Sequence, residues 1–242
     1  MMPRHLLGML TPSSNTILEP ITSRILAGLP DTSAHFSRFR VTQIALSDDA
    51  LAQFQRAEIL RAAELLADAK CQTIAWSGTS AGWLGFDADV ALCRDIEAAT
   101  GARACTSVLA LNEVLALTRV RKLALVTPYT QDVQARIMAN YASIGIEVVS
   151  EIHWNLRDNF SFSEVAGDRI AQAVRDVAAA SPDAIAVYCT NLAGAPLVAG
   201  LEAALGIPIY DTVATAVWKS LLLGGVDPAR VAGWGRLFSL RS

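Results

Sequence analysis

Apolar residues along this chain fall into short unbroken runs, separated by longer stretches in which they recur every three to four positions. The runs read as buried strands and the longer stretches as amphipathic helices. HLLGMLT (5–11) is predicted as a strand closed by Pro12, with a helix from Ser14 to about Ala27. FSRFRVT (36–42) is predicted as a second strand. A helix over 47–69 follows, with Ser47, Asp48 and Asp49 supplying N-cap oxygens. TIAWS (73–77) reads as a buried strand ended by Gly78, and after Trp83 come helices over 87–99 and from the ACTS segment through Leu117. Further on, strands are predicted at KLALVT (122–127), IEVVSEI (146–152), AIAVY (184–188) and IPIY (207–210). Helices are predicted from about Gln131 to Ala142, from Glu164 to about Ala179, and from Thr212 to Leu223. Apolar strands alternating with helices imply an α/β fold whose parallel sheets are covered on both faces.

The pattern repeats. LLGMLTPSSNT (6–16) resembles LALVTPYTQDV (123–133), TIAWSGTSAG (73–82) resembles AIAVYCTNLAG (184–194), and GARACTSVLALNEVLAL (101–117) resembles GIPIYDTVATAVWKSLL (206–222). The offsets are about 117, 111 and 105 residues, in order. The expected architecture is two Rossmann-like halves related by a pseudo-twofold axis, each a mainly parallel sheet flanked by helices. One half would span 1–118, joined by the tail from about 225 to 242, and the other 119–224. Strand C-termini of duplicated halves face one shared cleft, which places the active site there.

Composition narrows the function. Just over half of the 242 residues are hydrophobic, charged residues make up 18%, and the net charge is −3. No basic stripe with interleaved aromatics occurs, so nucleic acid is not an expected partner. No stretch of eighteen apolar residues occurs, so no membrane span is expected. The N-terminus has no long apolar run or small-residue cleavage site, and a cytoplasmic location is the expectation. Cys71, Cys93, Cys105 and Cys189 are scattered without a CxxC pair, and His5, His35 and His153 lie in unrelated segments. Neither a metal site nor a disulfide framework is expected. A homo-oligomer stays open.

Four loops are expected to meet in the cleft: Pro12–Asn15, Gly78–Ser80, Pro128–Thr130 and Cys189–Asn191. Each follows a buried strand, and helix N–H groups beyond it suit a carboxylate. Each also has a plainer reading. Ser14, Asn15, Thr79 and Ser80 are good helix caps, Tyr129 can simply pack, and Gly78 can relieve a tight turn. A buried cysteine is usually a small hydrophobe, which suits Cys71 and Cys93. Cys105 and its repeat partner Tyr210 can border the cleft. Trp76 and Trp83 read as core, with Trp83 also a candidate for an apolar pocket wall.

PSSNT after the first strand, GTS after the third, PY opening the second half and CTN with a downstream glycine resemble the aspartate/glutamate racemase superfamily. The similarity covers roughly residues 5–225 and is closest to the branch holding arylmalonate decarboxylase and maleate cis-trans isomerase. Racemases of this type use one cysteine from each half as opposing acid and base. Here Cys189 stands in the second half, but Gly78 occupies the matching first-half position. Gly78-Thr79-Ser80 resembles the decarboxylase pattern, in which a malonate loses one carboxylate in an apolar pocket. That resemblance implies an enediolate held by Thr79, Ser80, Tyr129 and the N–H of Thr190, protonated by Cys189, with no cofactor or metal. Asn15 and, more weakly, Asn159 resemble the isomerase pattern, in which asparagine binds a substrate carboxylate. The implied partner is a small mono- or dicarboxylate. The implied function is decarboxylation of substituted malonates. The alternatives are a maleate-isomerase-like or racemase-like enzyme and a non-catalytic carboxylate binder. On this reading Gly78→Cys would open racemase-like activity.

Overall fold

The computed structural model describes residues 4–44, 46 and 56–241. The first half runs β1 (His5–Pro12), α1 (Leu18–Leu26), β2 (Thr32–Phe39), α2 (Arg56–Asp68), β3 (Thr73–Trp76), α3 (Ala81–Leu84), α4 (Phe86–Thr100), β4 (Arg103–Thr106) and α5 (Ser107–Leu117). The second runs β5 (Lys122–Thr127), α6 (Gln131–Ser143), β6 (Glu147–His153), α7 (Gly167–Ala178), β7 (Ala184–Val187), α8 (Val198–Leu205), β8 (Ile209–Asp211) and α9 (Thr212–Leu223). Each half holds a four-stranded parallel sheet with the same order, β2-β1-β3-β4 and β6-β5-β7-β8. The central strands β3 and β7 are buried at every position. They read as unbroken apolar runs because helices cover both sheet faces.

The helices follow their apolar spacing. In α7 the buried positions are Ile170, Ala171, Ala173, Val174 and Val177, one stripe facing the sheet. The Thr106 side chain caps α5 by accepting from Leu109 N, and Asp211 caps α9 by accepting from Val213 N and Ala214 N. Gly101 and Gly206 end α4 and α8 in the left-handed conformation, where glycine carries no side-chain penalty. The halves interlock, since α9 packs on β3, β4 and α1 of the first half. Beyond it the tail touches both halves: Arg230 pairs with Asp31, and Arg236 N donates to Glu202 Oε2 at 2.8 Å.

Three expected boundaries move. β2 begins at Thr32, well before Phe36, because this edge strand pairs with β1 from His5↔Thr32 to Pro12↔Phe39. Its polar, half-buried start hid it from a search for apolar runs. Residues 40–42, expected in that strand, instead turn toward the second half. Helix α1 begins at Leu18 and not at Ser14, because Asn15 N bonds Pro12 O in a turn and Asn15 Oδ1 accepts from Ile17 N and Leu18 N. Helix α7 begins at Gly167, since Phe160–Glu164 forms a separate 3-10 turn and Val165 is extended. The start of the helix expected over 47–69 lies outside the described residues, and α2 is its remainder.

Candidate active site

The C-terminal ends of β1, β3, β5 and β7 converge where the halves meet. A small cavity of about 20 Å³ lies there, lined by residues of both halves. Two larger clefts, about 460 Å³ beside Arg157 and about 300 Å³ beside Cys93 and Cys105, share none of its residues. The apolar residues lining the small cavity are Pro12, Val41, Ile44, Trp76 and Trp83. The rest of its wall carries Gly78, Thr79, Ser80, Tyr129, Asn159, Cys189 and Thr190. Among the described residues, no charged side chain lines it.

Hydrogen bonds across the cleft fix this wall. Thr79 Oγ1 and the Tyr129 hydroxyl lie 2.5 Å apart, joining first half to second. Asn15 Nδ2 donates to Thr190 Oγ1 at 3.2 Å, and Thr190 Oγ1 donates to Ser77 O at 3.1 Å. Tyr129 is further held by edge-on contacts with Trp83 and Phe162. Among the described residues, no acceptor is found for the main-chain N–H of Gly78, Thr79, Ser80, Cys189 or Thr190. Buried N–H groups are nearly always paired, so five without an acceptor in residues that line one cavity leave donors free for an anion.

Cys189 is 2% exposed, and its Sγ accepts the N–H of Asn191 at 3.3 Å. Burial pushes the thiol up to about 12, outweighing the Tyr129 hydroxyl and the Asn191 N–H, which pull it down. The chain after Cys189 turns through Leu192 and reaches helix α8 only at Val198. A thiol so held is protonated at neutral pH, the form required of a proton donor and not of a nucleophile.

Of the residues singled out in sequence, Cys189, Gly78, Thr79, Ser80, Tyr129, Thr190 and Asn159 line the cavity. Ser14 and Asn15 do not. The Ser14 hydroxyl donates to Val41 O at 2.6 Å and accepts from Asn159 Nδ2 at 2.8 Å, so it braces a cavity residue. Asn15 Oδ1 holds Ile17 N and Leu18 N at the start of α1 and its Nδ2 binds Thr190, which leaves its amide engaged within the protein. Cys105 and Tyr210 stay away from the cavity. Cys105 sits 3.6 Å from Ser220 Oγ, and the Tyr210 hydroxyl reaches Thr118. All four cysteines are free.

Sequence reasoning gave no role to four contributors, although Asn191 stood in a loop expected at the cleft. Asn191 ties the thiol loop to the first half, with Oδ1 accepting from Thr16 N at 3.0 Å and Nδ2 donating to Asn159 O. Val41 and Ile44 reach the cavity because Ile44 N bonds Arg157 O, Asn159 N bonds Thr42 O, and Gln43 bridges Asp158. This clasp joins residues far apart in the chain, and no local pattern announces it. Trp76, read as core, is the fourth.

Gly78 has a steric role that sequence did not show. A Cβ placed there would lie 2.1 Å from the Trp76 indole, which is 1% exposed and braced by Phe39 at 5.0 Å between ring centroids. Gly78→Cys therefore requires the indole to shift before its thiol is seated. Gly78→Ala is expected to destabilise the protein by about 1–3 kcal/mol through overpacking, read as a drop in the denaturation midpoint.

Asp211, buried at the start of α9, is raised by burial from 3.8 to about 7. The folded state binds this proton more tightly than the unfolded chain. Its contribution is thus fully present below about pH 4 and is lost as pH rises through about 7. Asp211→Asn keeps the cap and removes the titration. Thermal melts of this variant should depend less on pH between 4 and 7 than those of the parent. Some slope remains, because buried Asp89 is also raised to about 7.

No helix among the described residues is long and apolar enough to cross a membrane, and no cluster of three or more metal-ligating side chains occurs among them. Comparison with known proteins agrees with the geometry. The maleate isomerase of Nocardia farcinica is 27% identical over 238 residues, covering 96% of this chain and 94% of that protein. Two solved structures share the fold. The Nocardia farcinica enzyme in a mutant form with a covalently bound succinylcysteine intermediate superposes with a TM-score of 0.87, at 24% identity over 98% of this chain and 99% of its own. Unliganded arylmalonate decarboxylase superposes with a TM-score of 0.80, at 21% identity over 98% and 99%. The arylmalonate decarboxylase family model matches residues 24–238, and on that match this chain belongs to the family.

Proposed function

We propose that this protein is a cofactor-independent decarboxylase of small substituted malonates, with Cys189 as the proton donor. The observation that carries the reading is a single protonated thiol in the cavity, with glycine backed by an indole at the equivalent position of the other half. One carboxylate of the substrate sits among the unpaired N–H groups and the Thr79, Ser80 and Tyr129 hydroxyls. The other is forced against Val41, Ile44 and Trp83, where a charge is poorly solvated. Loss of that carboxylate as carbon dioxide leaves its bonding electron pair on the α-carbon, delocalised into the remaining carboxylate as an enediolate. Donors placed where this charge develops stabilise it. The Cys189 S–H then gives its proton to the α-carbon, and solvent reprotonates the thiolate. Trp76 sits on the rigid end of a central strand, whereas Val41 and Ile44 sit on the clasp. About 20 Å³ holds roughly one water, so a malonate is admitted by parting of the clasp at Gln43–Asp158.

A second reading is favoured by one feature. Asn159 lines the cavity, and the relatives matched by sequence include maleate isomerases. A mutant of the isomerase from Nocardia farcinica carries a covalently bound succinylcysteine intermediate. Here one thiol would have to serve as both nucleophile and acid, and it is held protonated. Carbon dioxide release from methyl- and ethylmalonate, run beside conversion of maleate to fumarate, separates the readings. Release without maleate conversion is expected. Maleate conversion without release would replace the decarboxylase with an isomerase, and ligand-induced stabilisation with neither reaction would indicate a carboxylate binder.

A further inference from the structure

We infer that Trp76 is the specificity-determining wall of this site, confining the α-carbon substituent to small aliphatic groups and excluding aryl ones. Its indole fills the space that a side chain at position 78 would take, at the position of the first half equivalent to Cys189 in the second. Two further facts make it a wall and not mere core. The indole borders the active-site cavity and also a second cavity of about 70 Å³, lined by Arg56, Ile59, Leu84, Ala88, Asp89 and Leu92. Among the described residues, Trp76 and Ser80 are common to both, and they stand in the partition between them. The partition is also fixed: Phe39 packs against the ring and Nε1 donates to Ser80 Oγ at 3.3 Å. Unlike the clasp, it stands on a strand paired on both sides. Shortening this side chain joins the two cavities and adds the volume of the ring itself, enough room for a phenyl group.

The substrate assay rests on the decarboxylase reading, but the geometry does not, and the test separates the two. Trp76→Leu and Trp76→Phe are compared with the parent by the binding of methylmalonate and phenylmalonate in calorimetry, and by carbon dioxide release from each. The parent is expected to prefer methylmalonate. Trp76→Leu is expected to shift the phenyl-to-methyl ratio toward phenyl by at least ~10-fold in binding, with the same shift in kcat/KM. Trp76→Phe shifts it less, and supplies the comparison if the leucine variant folds poorly. A shift in binding with no carbon dioxide from any variant keeps the wall and removes the decarboxylase. An unchanged ratio in a folded variant overturns the wall. A double-mutant cycle adds a readout free of any ligand. The loss of thermal stability caused by Gly78→Ala should shrink by more than half in the Trp76→Leu background. An equal loss in both backgrounds would show that the indole does not occupy that space.

Discussion

Cys189→Ala is expected to lower kcat for malonate decarboxylation by about 10²–10⁴-fold, the range for loss of a positioned general acid. Ligand affinity should change little. The thiol is the only cysteine lining the cavity, and burial keeps its proton in place to about 12. Without it the enediolate must wait for a proton from water, which the apolar wall and the clasp hold back. Because the donor stays protonated across the working range, no alkaline fall in rate near pH 9 should be assignable to this thiol. Rate profiles of the parent between pH 6 and 10 check that point. A carboxylate-binding protein without chemistry would show the same affinity in both forms and no turnover in either.

The second large effect is expected at the pair joining the halves. Tyr129→Phe and Thr79→Val each remove one hydroxyl from a 2.5 Å contact that, in the proposed mechanism, faces the developing charge. Loss of one such donor is expected to cost about 10²–10³-fold in kcat, with KM changed less. The two effects should be strongly non-additive, because either change leaves the other hydroxyl without its fixed partner. Steady-state kinetics of the two single variants and the double variant measure this. Full additivity would mean that the hydroxyls act separately and that the short contact does not orient them.

Much of this architecture was legible in the sequence because it is written twice. The Thr-Pro ends of β1 and β5 and the apolar runs of β3 and β7 recur in order, and parallel strands buried on both faces have a distinctive continuous apolar signature. The repeat also exposed the Gly78–Cys189 asymmetry, on which the functional reading turns. Three things were hidden for physical reasons. The edge strand β2 begins with half-buried, mostly polar residues, so its pairing with β1 carries no apolar run. The clasp depends on backbone bonds between Thr42–Ile44 and Arg157–Asn159, which any residue types can make. The state of the Cys189 thiol depends on burial by the surrounding fold, which the loop sequence alone does not carry. Trp76 shows a different limit. Strand periodicity placed it in the core, and only the space around Gly78 reveals that it also shapes the site.

The most direct test of a single acid acting on one face is the product of a prochiral substrate. Ethylmethylmalonate, decarboxylated by the parent and by Cys189→Ala, gives 2-methylbutyrate whose enantiomers can be separated by chiral chromatography. The parent should release one enantiomer in large excess, and the variant should be slow and lose that excess. Racemic product from the parent, or an unchanged rate and excess in Cys189→Ala, would contradict Cys189 as the proton donor.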